Sequence, residues 1–340
     1  MKIVTTRGVG MGPLPTLLER MASERAVERA FSRSGMPQAI IDDLEKRVPF
    51  ISMLRLFEEA AHQVGDRAFG LRVGLGMDHG AYGIWAQYLC ASSTLAGAIR
   101  RSIRTISAYQ DGGRMSLRHE ADYAIWAYHP PKIGRLRFKQ HSDHVLPAMI
   151  NVARRYLGPT WLPEWAELDY PSDESGSALE DCLHVNIRFG RCGIGIAFKE
   201  KEIYKNKKMN DEKRKIITPD DLDSFYKKDE EKTFINRIED LIRLRLLDGE
   251  TDIEGLARSL DVSKRRLQSE LRLGGAMYRD ILLKVRMEKS LMLLNENNHS
   301  ITEIAYNIGY EELSSFSRAF CRWYGCYPTD FRRSSSPGSR

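Results

Sequence analysis

The sequence contains no apolar run of the ~18 residues that a membrane-spanning helix needs, so we expect no membrane span and no membrane partner. Its opening residues, MKIVTTRGVGMGPLP, also lack an apolar stretch long enough for a secretory signal peptide. These two absences argue against the membrane-embedded and secreted classes of protein, and they predict a cytoplasmic chain.

Cysteine is scarce, and its spacing suggests no pairing. The chain has 5 cysteines, an odd number, and none of them forms a C-x-x-C motif. This pattern argues against a disulfide framework and against a zinc site, and it is typical of a reducing compartment. One alternative stays open, in which Cys182 and Cys192 act as a redox-sensing pair, whereas ordinary thiols are the simpler interpretation.

Sequence signatures of catalysis, metal binding and cofactor binding are also missing. No Ser/His/Asp or Cys/His constellation is evident from spacing, and GVGMG at 8–12 lacks the strand, lysine and helix of a phosphate-binding loop. His141 and His144 have Asp143 between them, but a metal site needs a third ligand that the sequence does not indicate. We therefore expect no catalytic residue, no metal ion and no cofactor.

The size of the chain and one change in its composition predict two domains. A length of 340 residues favours two domains, and 42% hydrophobic with 29% charged residues is ordinary for globular proteins. Residues 199–232 are dense in charge and nearly free of apolar runs, as a solvated connector would be. We predict a first domain at 1–200, a charged connector at 201–232, a second domain at 233–333 and a disordered tail at 334–340.

The first domain mixes helical and strand patterns, which predicts an α+β fold. Helical spacing of apolar residues covers 15–35, 50–65, 93–109 and 135–158, with Ser93 or Thr94 as the N-cap of the third segment and a bend expected at Pro147. RMSLRHE and YAIWAYHP alternate like the strands of a β-hairpin, and CLHVNIRF and GIGIAF are expected to form two further strands.

The second domain is predicted to be all helical, and it contains an internal repeat. GLARSLDVSKRRLQSEL at 255–271 aligns with EIAYNIGYEELSSFSRAF at 303–320, and each copy has an amphipathic helix, a short turn and a second amphipathic helix. Between the copies, AMYRDILLKVRMEKSLMLLNENN at 276–298 predicts one long helix. The pattern indicates two helix-turn-helix units joined by a rod.

The outward faces of the second helix in each copy carry side chains of the types that can contact DNA. Arginine and glutamine can bind guanine and adenine edges in the major groove, and serine and lysine suit phosphates. The rod of about 20 residues spans roughly 30 Å, close to the roughly 34 Å between successive major grooves. The alternatives are a solvated face or a helical protein-interaction module. The predicted DNA-contacting residues are Ser263, Lys264, Arg265, Arg266, Gln268, Ser269, Leu313, Ser314, Ser315, Arg318 and Arg322.

These residues carry a family resemblance. SITEIAYNIGYEELSSFSRAFCRWYGCYPTDFR at 300–332, preceded by DIEGLARSLDVSKRRLQSEL at 252–271, resembles the DNA-binding domain of the AraC/XylS family of transcription regulators. The resemblance implies that the third and sixth helices of the domain enter major grooves. Leu313 departs from the glutamine of many similar proteins; leucine cannot hydrogen-bond a base but can contact a thymine methyl.

The first domain resembles the arabinose-binding-type regulatory domain of ornithine-utilisation-regulator-like members. FGLRVGLGMDHGAYGIWAQYLCASSTLAGAIR at 69–100 and LHVNIRFGRCGIGIAF at 183–198 carry this resemblance, which implies small-molecule sensing and dimerisation. Because ligand pockets are largely apolar with a few polar groups, an aromatic set is the candidate lining of an effector pocket, although aromatic residues more often belong to a core. The set is Trp85, Tyr88, Trp126, Tyr128 and His129.

Together these patterns predict a sequence-specific DNA-binding transcription regulator that is not an enzyme. Activation is the expected mode, under control of an unidentified small-molecule effector. The expected partners are double-stranded promoter or operator DNA, a second copy of the chain in a homodimer, and RNA polymerase. The expected location is the cytoplasm, in association with the nucleoid. An enzymatic first domain with an appended DNA-binding regulator is the alternative from another class.

Overall fold

The computed structural model of the chain describes residues 2–78, 81–133, 138–172, 176–206, 217–222, 232–296 and 298–335. Most of the predicted connector, at 207–216 and 223–231, and most of the predicted tail, at 336–340, lie outside these described residues. Among the described residues, no helix is long and apolar enough to cross a membrane. The chain folds as two compact units: an N-terminal unit of Val4–Met36 and Asp43–Glu231, and a C-terminal unit of Met1–Ile3, Pro37–Asp42 and Lys232–Arg340.

The N-terminal unit contains a mainly antiparallel sheet of five strands. The second strand in spatial order pairs Trp126 with Leu117 on one side and with Ile196 on the other. Alternation along that strand turns Ala124, Trp126 and Tyr128 toward the main core. The strands are β3 (Arg114–Glu120), β4 (Tyr123–His129), β7 (Ile194–Lys199), β5 (Ala166–Glu167) and β6 (Ile187–Arg188) in spatial order, and β1 (Thr5–Arg7) pairs separately with β2 (Arg47–Pro49).

The helices of the N-terminal unit begin and end where local sequence signals place them. Thr94 caps one helix by accepting from the Gly97 amide at 3.1 Å, which confirms the predicted start. Gly35 and Gly65 end two others with φ of 71°, in the left-handed region that favours glycine. The helices are α1 (Leu14–Met21), α2 (Glu24–Ser34), α3 (Phe50–Val64), α4 (Phe69–Leu75), α5 (Gly83–Cys90), α6 (Leu95–Tyr109), α7 (Lys139–Leu157) and α8 (Gly176–Leu183).

Two sequence-based expectations for this unit were wrong in detail. The segment 15–35 forms two helices because Ser23 accepts a hydrogen bond from the Ala26 amide and begins a new one. The segment 182–189 was expected to be a strand, but its first residues end α8 and only Ile187–Arg188 is extended. His184 has φ of 54°, a left-handed backbone conformation that separates the helix from the strand. The hairpin of β3 and β4 is confirmed.

Helices α4 and α7 cross with their backbones nearly in contact. A Cβ built on Gly70 would lie 2.0 Å from the Gln140 carbonyl oxygen, and one on Gly74 would lie 2.4 Å from that of His144. Only glycine allows this approach, since a methyl group would collide with backbone atoms that cannot move alone. The crossing buries the first half of α7, including both of its histidines, and α7 continues through Pro147.

The C-terminal unit is helical and has two hydrophobic clusters. The long helix α12 supplies Ile281 and Val285 to the first cluster and Met287 and Leu294 to the second. Each helix-turn-helix unit therefore has its own core on a shared helix, and the predicted fold class is confirmed. The helices are α9 (Phe234–Leu247), α10 (Ile253–Ser259), α11 (Lys264–Leu273), α12 (Tyr278–Glu296), α13 (Ile301–Asn307), α14 (Leu313–Tyr324) and α15 (Pro328–Ser335).

Candidate functional site

The first helix-turn-helix unit consists of α10 and α11. Asp252 caps α10 through the Gly255 amide, and Ser263 caps α11 by accepting from the Arg266 amide at 3.2 Å. Leu267 and Leu271 are fully buried, so the opposite side of α11 faces outward. On that side Lys264, Arg265, Arg266 and Ser269 are exposed and Gln268 is half-buried.

A buried arginine, which sequence reasoning missed, anchors this unit. The Arg245 side chain is only 3% exposed, and its guanidinium pairs with Glu250 at 2.7 Å and with the capping Asp252 at 3.1 Å. The pairing fixes the carboxylate that begins α10. The available signal was an arginine within the apolar run IRLRLL, where a charged residue needs a partner if it is buried.

Replacing Gly255 with alanine is expected to destabilise the C-terminal unit by about 1–3 kcal/mol. A Cβ there would lie 2.1 Å from Arg245 Nη2 and 2.9 Å from Asp252 Oδ2, so the ion pair must move. Urea unfolding of the full chain measures the change. Gly274→Ala is the control, because its nearest atom is the flexible tip of Ile235 at 3.1 Å. Equal unfolding free energies for the two variants would contradict the assigned role of Arg245.

The second helix-turn-helix unit consists of α13 and α14. A capping box begins α13, since Ser300 and Glu303 each accept a hydrogen bond from the other's backbone amide. Its turn contains Gly309 with φ of 78°. Arg286 of α12 donates to the Gly309 carbonyl at 2.8 Å and its guanidinium lies 4.8 Å from the centre of the Tyr310 ring. The long helix thus positions the turn before α14.

The outward face of α14 is a linked polar surface. Leu313, Ser314, Arg318 and Arg322 are exposed and Ser315 is half-buried, whereas Phe316 and Phe320 are fully buried behind them. Arg318 Nη2 donates to Ser315 Oγ at 3.3 Å, and the Ser314 hydroxyl donates to Glu312 at 3.2 Å.

Glu312, directly before α14, was missed by sequence reasoning. Its carboxylate is an acceptor that orients the hydroxyls beside Arg318, and its position before the first helical residue is favourable for an acidic group. That position was the signal available in the sequence.

The N-terminal unit contains a small cavity of about 60 Å³ between the sheet and helices α3, α5, α6 and α7. Three of the five predicted effector residues line it: Trp85, Trp126 and Tyr128. Tyr88 instead packs under the Arg101 guanidinium, and His129 hydrogen-bonds Ser116 and the Cys192 carbonyl. Sequence reasoning missed further lining residues that come from distant elements, namely Tyr82, Tyr109, Gln110, His141 and His144.

The polar atoms around the cavity are mostly bonded to the protein. The indole N–H of Trp85 donates to Thr105 at 2.9 Å, and that of Trp126 donates to Ser102 at 3.1 Å, so neither N–H group is free to bind a ligand. The Tyr82 hydroxyl lies 3.3 Å from His144 Nε2. Burial lowers the pKa of His144 to about 3 and that of His141 well below its usual value, so both imidazoles are neutral.

Comparison with known families decides the identity of this architecture. The family model "Arabinose-binding domain of AraC transcription regulator, N-term" matches residues 25–202, which is more than half of the chain. The chain belongs to the AraC family of transcription regulators. A second model, "Helix-turn-helix domain", matches residues 256–334 of this AraC-family protein.

Two of the curated proteins that resemble this AraC-family regulator do so along most of their length. The HTH-type transcriptional regulator VirS of Mycobacterium tuberculosis is 23% identical over 96% of this chain and 92% of that protein. The ornithine utilization regulator of Pseudomonas aeruginosa is 22% identical over 92% of this chain and 93% of that protein. Among solved structures, the transcriptional regulator CdpR from Pseudomonas aeruginosa matches 91% of this chain and 97% of its own at 20% identity, with a TM-score of 0.40.

These findings confirm the predicted family and the predicted role as a DNA-binding transcription regulator. The AraC-family regulator binds DNA through its helix-turn-helix domain and has an N-terminal ligand-binding domain. Because the family regulates transcription, the family assignment gives no support to the alternative of an enzymatic first domain. Cys182 and Cys192, the alternative redox pair, are free and exposed thiols.

Proposed function

We propose that this regulator reads two successive major grooves of promoter DNA with helices α11 and α14. The observation that carries the proposal is the exposure of a polar face on each helix, while the apolar face of each is held in its own core on α12. A rigid shared helix of 19 residues keeps the two faces in a constant relation, and its length of about 28 Å approaches the spacing of adjacent grooves.

The proposal gives each exposed residue a role by its chemistry. Arg265, Gln268 and Arg318 reach base edges, because their side chains can form paired hydrogen bonds with guanine or adenine. Leu313, 40% exposed at the first position of α14, contacts a thymine methyl. The remaining residues position the helices on phosphates, and they are Ser263, Lys264, Arg266, Ser269, Ser314, Ser315 and Arg322.

We also propose that an effector bound in the N-terminal cavity controls the affinity for DNA. The cavity supports this proposal because it is lined by aromatic and apolar side chains with a few polar groups, as small-molecule sites are. The proposal extends to a homodimer that activates transcription through RNA polymerase, in the cytoplasm where promoter DNA lies, in association with the nucleoid.

Replacing Arg318 with alanine is expected to reduce discrimination at one base pair by about 1–3 kcal/mol. Competition binding of the full chain to its operator and to single-base variants measures this loss. Arg33→Ala is the matched control, since Arg33 is a half-exposed arginine of the N-terminal unit and its loss should leave every affinity unchanged. An Arg318→Ala protein that ranks all operator variants as the wild type does would disprove the placement of α14.

The salt dependence of the same binding separates DNA recognition from a protein-interaction role. Because phosphate contacts release counterions, the affinity for DNA should fall steeply as salt is raised. Arg322→Ala should make that dependence shallower and lower affinity for specific and scrambled DNA alike. A flat salt response in the wild type would indicate a helical protein-interaction module instead.

A further inference from the structure

The cavity in the N-terminal unit has an unfilled hydrogen-bonding requirement. Gln110, at the end of α6, lines the cavity and is only 2% exposed. Its Oε1 accepts a hydrogen bond of 2.5 Å from the Tyr128 hydroxyl, which leaves the amide nitrogen as the remaining polar atom of this side chain. Within the described part of the chain, this buried Nε2 has no hydrogen-bond partner. A buried donor without an acceptor costs free energy, so the site favours a ligand that brings an acceptor.

The remaining walls favour an aromatic or similarly flat apolar molecule. Trp85 and Tyr109 stack with ring centroids 5.2 Å apart, and the Tyr82 ring packs edge-on against both. The indole N–H groups already have partners inside the protein. A planar ligand therefore enters an aromatic lining, and stacked or edge-to-face contacts with such rings are the ones that another ring prefers.

The lining also disfavours a charged ligand. All the lining residues are apolar, aromatic or uncharged polar ones, apart from His141 and His144, which are buried and neutral. An ion placed among them would lose its hydration without gaining an opposite charge. A neutral molecule that presents one acceptor avoids this cost.

The present volume is too small for one ring, so a ligand of about that size is an upper limit and requires the walls to move. At about 60 Å³ the cavity is smaller than the ~150 Å³ cavity that is known to hold benzene in another protein. Three of the lining side chains are methionines, Met53, Met115 and Met149. Methionine side chains are flexible and adapt to irregular shapes, so these walls can yield to admit a single ring.

We propose that the effector is a small, uncharged, mainly apolar molecule of about one ring, with a hydrogen-bond acceptor that binds Gln110 Nε2. This inference rests on the proposed control by an effector, and it adds the chemical class of that effector. It also makes Gln110 the residue that distinguishes acceptor-bearing ligands from hydrocarbons of the same shape.

Three probes of nearly equal shape test the proposal: acetophenone, α-methylstyrene and benzoate. Binding to the full chain is followed by tryptophan fluorescence, because Trp85 and Trp126 form part of the wall. We expect acetophenone to bind more tightly than α-methylstyrene, and benzoate to bind most weakly. Gln110→Met should weaken the binding of acetophenone by about tenfold and leave the binding of α-methylstyrene unchanged. Unchanged binding of α-methylstyrene also shows that the cavity of the variant is intact.

Gln87→Met is the matched control, because Gln87 is an exposed glutamine of α5 and its loss should not affect any probe. The proposed class is wrong if benzoate binds most tightly, or if Gln110→Met weakens the binding of acetophenone and of α-methylstyrene equally. Either result leaves control by an effector standing. If no probe binds the wild type, the proposed class fails. Control by an effector is tested separately, since a ligand of any class that binds this unit must change the affinity for operator DNA.

Discussion

Lowering the pH from 6.5 to 4.5 is expected to destabilise the N-terminal unit by about 2 kcal/mol through the buried His144, and the buried His141 acts in the same direction. In the folded chain the pKa of His144 is about 3 and the pKa of His141 is also strongly lowered, because both rings are buried. In the unfolded chain each has its ordinary pKa near 6.5. His144 thus contributes up to about 1.4 kcal/mol per pH unit, and the contribution of His141 has the same sign.

The sign follows from the protons that each state binds. Between pH 6.5 and the lowered folded-state values, the unfolded chain binds two protons that the folded chain does not, so acid favours unfolding. Above pH 6.5 neither state binds them, and the contribution of both histidines disappears. The rings of Phe50, Phe57 and Tyr128 and the hydroxyl of Tyr82 pack against the pair, and none of these groups carries a charge in this range.

Urea unfolding of the full chain at a series of pH values measures this effect. His144→Gln should have a shallower pH dependence than the wild type, even where its stability is lower at pH 7. His62→Gln is the control, because His62 is exposed and its loss should not change the slope. An unchanged slope in His144→Gln would show that His144 does not titrate as its burial requires.

Replacing Phe320 with alanine is expected to cost about 3–5 kcal/mol in the second helix-turn-helix unit. The side chain is fully buried, and its ring lies 5.7 Å from Phe316, 4.7 Å from Tyr324 and 6.0 Å from Phe331. Because each unit has its own cluster, the loss should remain mostly in the second one. Hydrogen exchange of the Phe320→Ala variant should show that amides of α13 and α14 lose protection while amides of α10 and α11 remain protected.

Trp323→Ala on the same helix provides the matched control. That side chain is 44% exposed, and its removal should change stability by no more than about 0.5 kcal/mol. Phe320→Ala should also abolish specific binding to DNA, since α14 loses its packing against α12. If protection falls equally in both units, the two clusters are a single cooperative core and their assignment as separate cores is wrong.

Local signals explain why much of the fold was predictable. The start of α6 at Thr94 and the end of α3 at Gly65 depend on hydrogen bonds and backbone angles within a few residues. The duplicated helices were found in the same way, because apolar spacing within one helix shows which face is buried. The expected strand at 182–189 failed because a short apolar run suits a helix end as well as a strand.

The sequence by itself determined the two helix-turn-helix units, the outward polar residues on α11 and α14, and the family, because these depend on neighbours along the chain. Only the tertiary structure decided the cavity and the burial of Arg245. The cavity joins Tyr82, Gln110 and His144, which lie on separate elements, and a backbone approach at Gly70 and Gly74 brings α7 into place. Which distant side chains meet depends on how whole elements pack, and no spacing rule within one element contains that information.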